Sequence, residues 1–92
     1  MITYSTNWMG PINQKWIEEH GDYWSAGRID IRDDTKQGYD GWNEYAIPPM
    51  HTEDWNKLSD YLWELETETL LSYDELIQSF EEHYGKKIRW MK

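Results

Sequence analysis

Ninety-two residues make one domain with a small core, and the mean hydropathy of −1.00 leaves few aliphatic side chains to fill it. Seven Trp and seven Tyr argue against disorder, the absence of cysteine excludes a disulfide framework and thiolate metal sites, and no apolar run approaches the roughly 18 residues of a membrane span. The net charge of −9 opposes direct contact with nucleic-acid phosphates.

In chain order, "ITYS" (2–5) reads as a first strand. The opening "MITYSTNW" has neither a basic nor an apolar stretch of the signal-peptide kind, so a cytoplasmic protein is expected. Gly10–Pro11 punctuates the chain, with Pro11 suited to the first position of a short helix. Ile12, Trp16 and Ile17 supply its inward face, and Gly21 its stop. Trp8 and Trp16 then bracket a strand-to-helix corner, with both rings directed inward.

"RIDIR" (28–32) alternates strictly and is the clearest strand. Ile29 and Ile31 face the core; Arg28, Asp30 and Arg32 face water. The strand is expected to begin near Tyr23, with Gly27 marking a bulge or a close approach to the backbone. "DDTKQGYDG" (33–41) is turn chemistry throughout. "WNEYAI" (42–47) alternates again, with Tyr45 and Ile47 inward and Trp42 and Glu44 outward. The two strands make a hairpin that sets Arg28 or Arg32 across from Glu44, and Pro48–Pro49 ends it.

Thr52 suits an N-cap, and Trp55, Leu58, Leu62 and Leu65 follow as one apolar stripe of a helix that stops by Thr67. Ser72-Tyr73-Asp74-Glu75 fits a capping box. Tyr73, Leu76, Ile77, Phe80 and Tyr84 then form a second stripe, closed by Gly85. "KIRWM" (87–91) suits a last edge strand. The predicted fold class is α+β: a small antiparallel sheet of about three strands packed against three helices, in the order β-α-β-β-α-α(-β) within one domain, 1–92.

No chemistry-bearing motif stands out. His20, His51 and His83 share no metal spacing. Asp33 to Glu44 has the length and the glycine of a calcium loop, but Thr35 and Gln37 stand where ligands belong, and the flanks read as strands. No nucleophile motif or phosphate loop is present. A non-enzymatic protein with no cofactor and no metal is expected.

The charge is uneven. Residues 40–85 carry twelve acids against the single base Lys57, and Lys86, Lys87, Arg89 and Lys92 follow as a basic tail. Such acid keeps any protein soluble. Arrayed on two helices at intervals of about 5–6 Å, it also approximates the charge row of a nucleic-acid duplex. The candidate partner-binding residues are Glu53, Asp60, Glu64, Asp74, Glu75, Glu81 and Glu82, with Trp63 as an aromatic anchor. Trp24 and Trp42 are the other tryptophans whose burial the pattern leaves open.

The segments "YSTNWMGPI" (4–12), "GRIDI" (27–31), "IPPM" (47–50) followed by "EDW" (53–55), and "LLSYDELI" (70–77) resemble a group of small, functionally unassigned proteins of tailed bacteriophages. The first two segments are the more specific. The resemblance implies a phage accessory protein in the host cytoplasm and brings no catalytic residues to transfer. By analogy with small acidic phage inhibitors of CRISPR and restriction complexes, the expected partner is a basic, nucleic-acid-binding host protein. The alternative is a structural or assembly module, such as a homodimer built on its aromatics.

Overall fold

The computed structural model describes residues 1–8, 14–24 and 27–91, apart from the side chains of Trp8, Gln14 and Ile17. The helix start at Pro11 and the inward placement of Trp8, Ile12 and Ile17 lie outside the described residues. The chain is α+β. Strand β1 (Ile2–Trp8) is followed by helix α1 (Gln14–His20) and the two-residue strand β2 (Tyr23–Trp24). Strands β3 (Gly27–Asp33) and β4 (Trp42–Ile47) come next, then the short β5 (Met50–His51). Helix α2 (Thr52–Glu64), the short strand β6 (Glu66–Thr67) and helix α3 (Tyr73–Tyr84) complete the order.

The main sheet is antiparallel with strand order β4-β3-β1-β6, one strand more than expected. The extra edge is β6, which pairs only with Ile2 and Thr3. The strand expected to begin near Tyr23 is two strands. Tyr23 and Trp24 leave the main sheet and pair with His51 and Met50. The C-terminal segment joins this second ladder through a bridge between Met50 and Trp90 and bonds from His51 N–H to Arg89 O (2.9 Å) and Met91 N–H to Pro49 O (3.0 Å). "KIRWM" therefore lies along β5 without becoming a full strand.

Alternation along the strands sorts the side chains. Ile2, Tyr4, Ile29, Ile31 and Ile47 are buried and pack with Trp55, Leu58 and Leu62 of α2 and Leu76, Ile77 and Phe80 of α3 in one core. The Tyr4 hydroxyl pairs with that of Thr67 (2.7 Å), and the Leu71 N–H donates to it (3.3 Å), so this ring ties β1 to the link between α2 and α3.

Gly27 is a point of close approach. A Cβ there would lie 2.1 Å from Trp55 Cη2, and Trp55 in turn stacks on Trp24 with ring centroids 5.5 Å apart. The third strand's outer row differs from expectation in one respect: Glu44 sits opposite Asp30, while Arg32 faces Trp42 and Arg28 faces Ala46. The 3₁₀ turn Gly38–Gly41 leads directly into β4, and the Trp42 N–H that follows it donates to Tyr39 O.

Helix ends follow local chemistry. Ser72 and Glu75 form the expected capping box, and Gly85 closes α3 with φ +69, a conformation that costs most other residues about 1 kcal/mol or more. The N-cap of α2 is His51, not Thr52. Thr52 is already helical and gives its N–H to Asp22 O (2.6 Å), while His51 Nδ1 accepts the Glu53 N–H (3.2 Å).

Candidate functional site

Two regions carry exposed chemistry: the outward arcs of α2 and α3, and the outer face of the sheet around Asp30 with the adjoining margin of β1 that Trp63 borders. On α2 the apolar stripe turns Leu58 and Leu62 fully inward, which sends Asp60 and Glu64 to water. Trp63 lies between the stripe and these acids and is 77% exposed. The residues of α3 divide in the same way. Leu76, Ile77 and Phe80 are buried, while Asp74, Glu75 and Glu82 are exposed and occupy one outward arc with the half-buried Glu81.

The two helices meet through Tyr61. Its hydroxyl bonds to that of Ser79, and its ring contacts Phe80, His83 and Tyr84. An aromatic seam thus separates the two acidic arcs.

The chain's own bases reach several of the candidate acids. Arg89 Nη2 contacts Glu53 (3.1 Å) and Asp54 (2.9 Å), its Nε donates to Asp54 (3.0 Å), and its backbone N–H does the same (2.9 Å). Lys57 adds a longer pair to Glu53. Glu81 accepts the Ile88 N–H (2.8 Å) and pairs with Lys87 (3.7 Å). Glu75 spends one oxygen on the Ser72 N–H. Glu53 and Glu81 therefore hold the C-terminal segment in place, and the tail read as a separate basic stretch is docked on the acidic body. Asp60, Glu64 and Asp74 make no hydrogen bond or ion pair among the described residues, and Glu82 only accepts from Gln78 (3.2 Å).

Charge and hydrogen bonding move these groups in the expected directions. Burial pushes the Asp54 carboxyl up. The Arg89 side-chain and backbone hydrogen bonds and the guanidinium charge outweigh that, so the group ends below its ordinary value. Arg89 first, then the charge of Lys57, lowers Glu53 as well.

A carboxyl depressed in the folded state contributes stability above its unfolded pKa and loses it as pH falls through the folded value. Arg89→Met is therefore expected to lower the melting temperature at pH 7. Its deficit should shrink as pH falls below about 4, the ordinary carboxylate range. Melting curves from pH 7 to 3 check this. Wild-type and variant profiles that run parallel would exclude Arg89 as the stabilising partner.

On the sheet's outer face, Asp30 is only 3% exposed. Its Oδ2 accepts from Asn7 Nδ2 (2.6 Å), and its Oδ1 lies 2.9 Å from Arg28 Nε, an ion pair without hydrogen-bond alignment. Asp30 floors a recess of about 290 Å³ with Thr3, Ser5, Arg32, Trp42 and Trp63 at its walls. Trp42 is 40% exposed there and donates from Nε1 to Glu44 (3.0 Å). Trp24 is partly buried against the core.

The chain matches no family model, no curated protein and no solved structure. Among the described residues no group of His, Asp and Glu is placed to hold a metal ion. His20 bonds through Nδ1 to Trp16 O (2.8 Å) and stacks on the half-buried Trp16 ring, His51 caps α2, and His83 packs on Tyr61 and Tyr84. The loop after β3 is held by Asp33, which accepts from the Thr35 N–H and hydroxyl. No described helix is long and apolar enough to cross a membrane.

Sequence reasoning missed the pairing of Asn7 with Asp30 and the convergence of Trp42 and Trp63 on one recess. Alternation puts Asp30 on the wet face but cannot say that β1 lies beside it. The register Ser5 to Asp30 and Asn7 to Arg28 supplies that.

Proposed function

We propose that this protein is a non-enzymatic binding module that occupies a basic surface on a nucleic-acid-handling or defence complex, acting as a charge mimic of DNA. The observation that carries the reading is Trp63, an indole 77% exposed on a helix beside the carboxylates Asp60 and Glu64, which have no partner among the described residues. An exposed indole has no role in the core, and aromatic residues beside charge dominate binding energy at interfaces. Asp74, Glu75 and Glu82 extend the negative field along α3, where long-range attraction speeds encounter with a positive partner. Glu53 and Glu81 contribute to that field while holding the tail. The resemblance to phage accessory proteins makes a bacterial host complex the expected setting and the host cytoplasm the expected place.

The test is capture from bacterial lysate at low and high salt, followed by competition. Wild-type protein is expected to retain a DNA-binding protein at about 50 mM salt, to lose most of it by about 200 mM, and to displace DNA from it. The triple variant Asp60→Lys, Glu64→Lys, Glu82→Lys is expected to abolish both effects with an unchanged melting temperature. Inhibition that survives this reversal sinks the mimicry.

A second reading, a homo-oligomeric assembly module, has one observation in its favour. β4 pairs only with β3, so the outer edge of Trp42–Ile47 is free among the described residues. Under it, sedimentation is expected to show an oligomer that persists in high salt. Under the first reading the protein sediments as a monomer.

A further inference from the structure

Trp63 and Ser5 also border a wider groove, of about 550 Å³, between α2 and β1. Its other walls are Thr6, Asn7, Trp55, Ser59 and Asp60. We propose that this groove receives the guanidinium of an arginine side chain from the basic partner. The inference rests on the reading of the protein as a binder of basic surfaces and names the group recognised.

The lining has acceptors and no cation. Asp60 offers a carboxylate with no partner among the described residues, in contrast to Glu53 and Glu81. Asn7 gives one Nδ2 hydrogen to the buried Asp30, which orients the amide and leaves its oxygen free to accept. The Ser5 hydroxyl makes no hydrogen bond among the described residues. Thr6 and Ser59 bond to each other, and Ser59 donates to Trp55 O (2.9 Å), so these hydroxyls act as fixed wall rather than donors toward a ligand.

The remaining wall is the exposed indole of Trp63. A planar, weakly hydrated cation stacks on such a ring and distributes several N–H donors among separate acceptors at once. A lysine ammonium is a compact, strongly hydrated point charge and uses the same lining less well. An anion meets Asp60 and the protein's overall negative field. The neighbouring recess suits a cation less, because Arg28 already neutralises Asp30 and Arg32 stands at its wall.

The groove is also preorganised. Asp60 and Trp63 sit on the well-packed α2. Asn7 is held by Asp30, and the pairing of Thr6 with Ser59 locks β1 to the helix.

The test titrates full-length protein with N-acetyl-arginine amide and, separately, N-acetyl-lysine amide at low salt, followed by NMR. The arginine compound is expected to shift the backbone amides of Ser5 and Asn7 and the Trp63 indole N–H saturably, and to bind about threefold or more tighter than the lysine compound. Asp60→Asn and Trp63→Ala should each weaken the Ser5 and Asn7 response by about threefold to tenfold, while Glu68→Gln, an exposed carboxylate outside the groove and outside both acidic arcs, leaves it unchanged.

Equal binding of the two compounds, or responses that both groove variants leave intact, would overturn the inference and leave the broader electrostatic reading standing. Selective arginine binding in a protein whose lysate partner is insensitive to salt and to Asp74→Lys with Glu82→Lys would instead sink the broader reading while the groove remains.

Discussion

Gly27→Ala is expected to destabilise the domain by about 3 kcal/mol, the upper end of the usual cost of overpacking. The added methyl would sit 2.1 Å from Trp55 Cη2 and 2.2 Å from Cζ3, well inside van der Waals contact. A flexible side chain would swing away. An indole moves only as a plate, and this one is buried, faces Trp24 at an interplanar angle of 16°, and forms part of the core stripe of α2. Relief must come from shifting α2 or bending β3, and both are tied to the rest of the sheet.

For a domain of this size the loss corresponds to a fall in melting temperature on the order of 10–20 °C. Trp55→Leu in the same background removes the obstruction. The double variant is therefore expected to be no less stable than Trp55→Leu alone, and a strictly additive loss in denaturant unfolding would show that the contact is not the cause.

This contact shows what a sequence reveals and what it conceals. A glycine at the head of a strictly alternating strand signals that something comes near the backbone, but it does not say what. The alternation of Ile29 and Ile31, the stripe of α2 and the capping box of α3 are local patterns, legible because period and cap chemistry involve residues only two to four apart. The features that went unread are long-range. β6 is too short to show a period and exists because Ile2 and Thr3 offer an edge to it. Tyr23 and Trp24 look continuous with β3 until Met50 and His51 supply a different partner.

The same division holds for the candidate site. That Trp63 lies at the margin of its helix stripe is visible from spacing. That its ring borders two grooves with β1 depends on which strand α2 packs beside. Charge reads in the same two-level way. The count of acids says that the middle of the chain is negative, but it cannot tell a free carboxylate from one held by the chain's own base. Arg89 lies thirty-five positions from Asp54 yet takes up both its oxygens. The tail thereby removes Glu53 and Glu81 from the set of free carboxylates and leaves Asp60, Glu64, Asp74 and Glu82 as the sharper candidates.

The adjacent pair Leu62 and Trp63 gives the second large effect, because two apolar side chains one residue apart are expected to behave in opposite ways. Leu62 is fully buried between α2 and the sheet, so Leu62→Ala loses its transfer energy and leaves a cavity, a cost of about 3–5 kcal/mol. A domain of this length has roughly 5–14 kcal/mol of stability in all, so that one change consumes a large share of it and leaves much of the protein unfolded at moderate denaturant. Trp63→Ala removes a larger side chain, but one that is already 77% exposed, and its expected cost is within about 0.5 kcal/mol.

Unfolding by urea, with both variants measured beside wild type, separates them directly. Comparable losses at the two positions would mean that Trp63 packs into the fold, and its value as a binding anchor would go with its exposure. A stable Trp63→Ala protein that no longer binds, next to a Leu62→Ala protein that binds only in the fraction still folded, is the pattern expected of an indole presented to a partner.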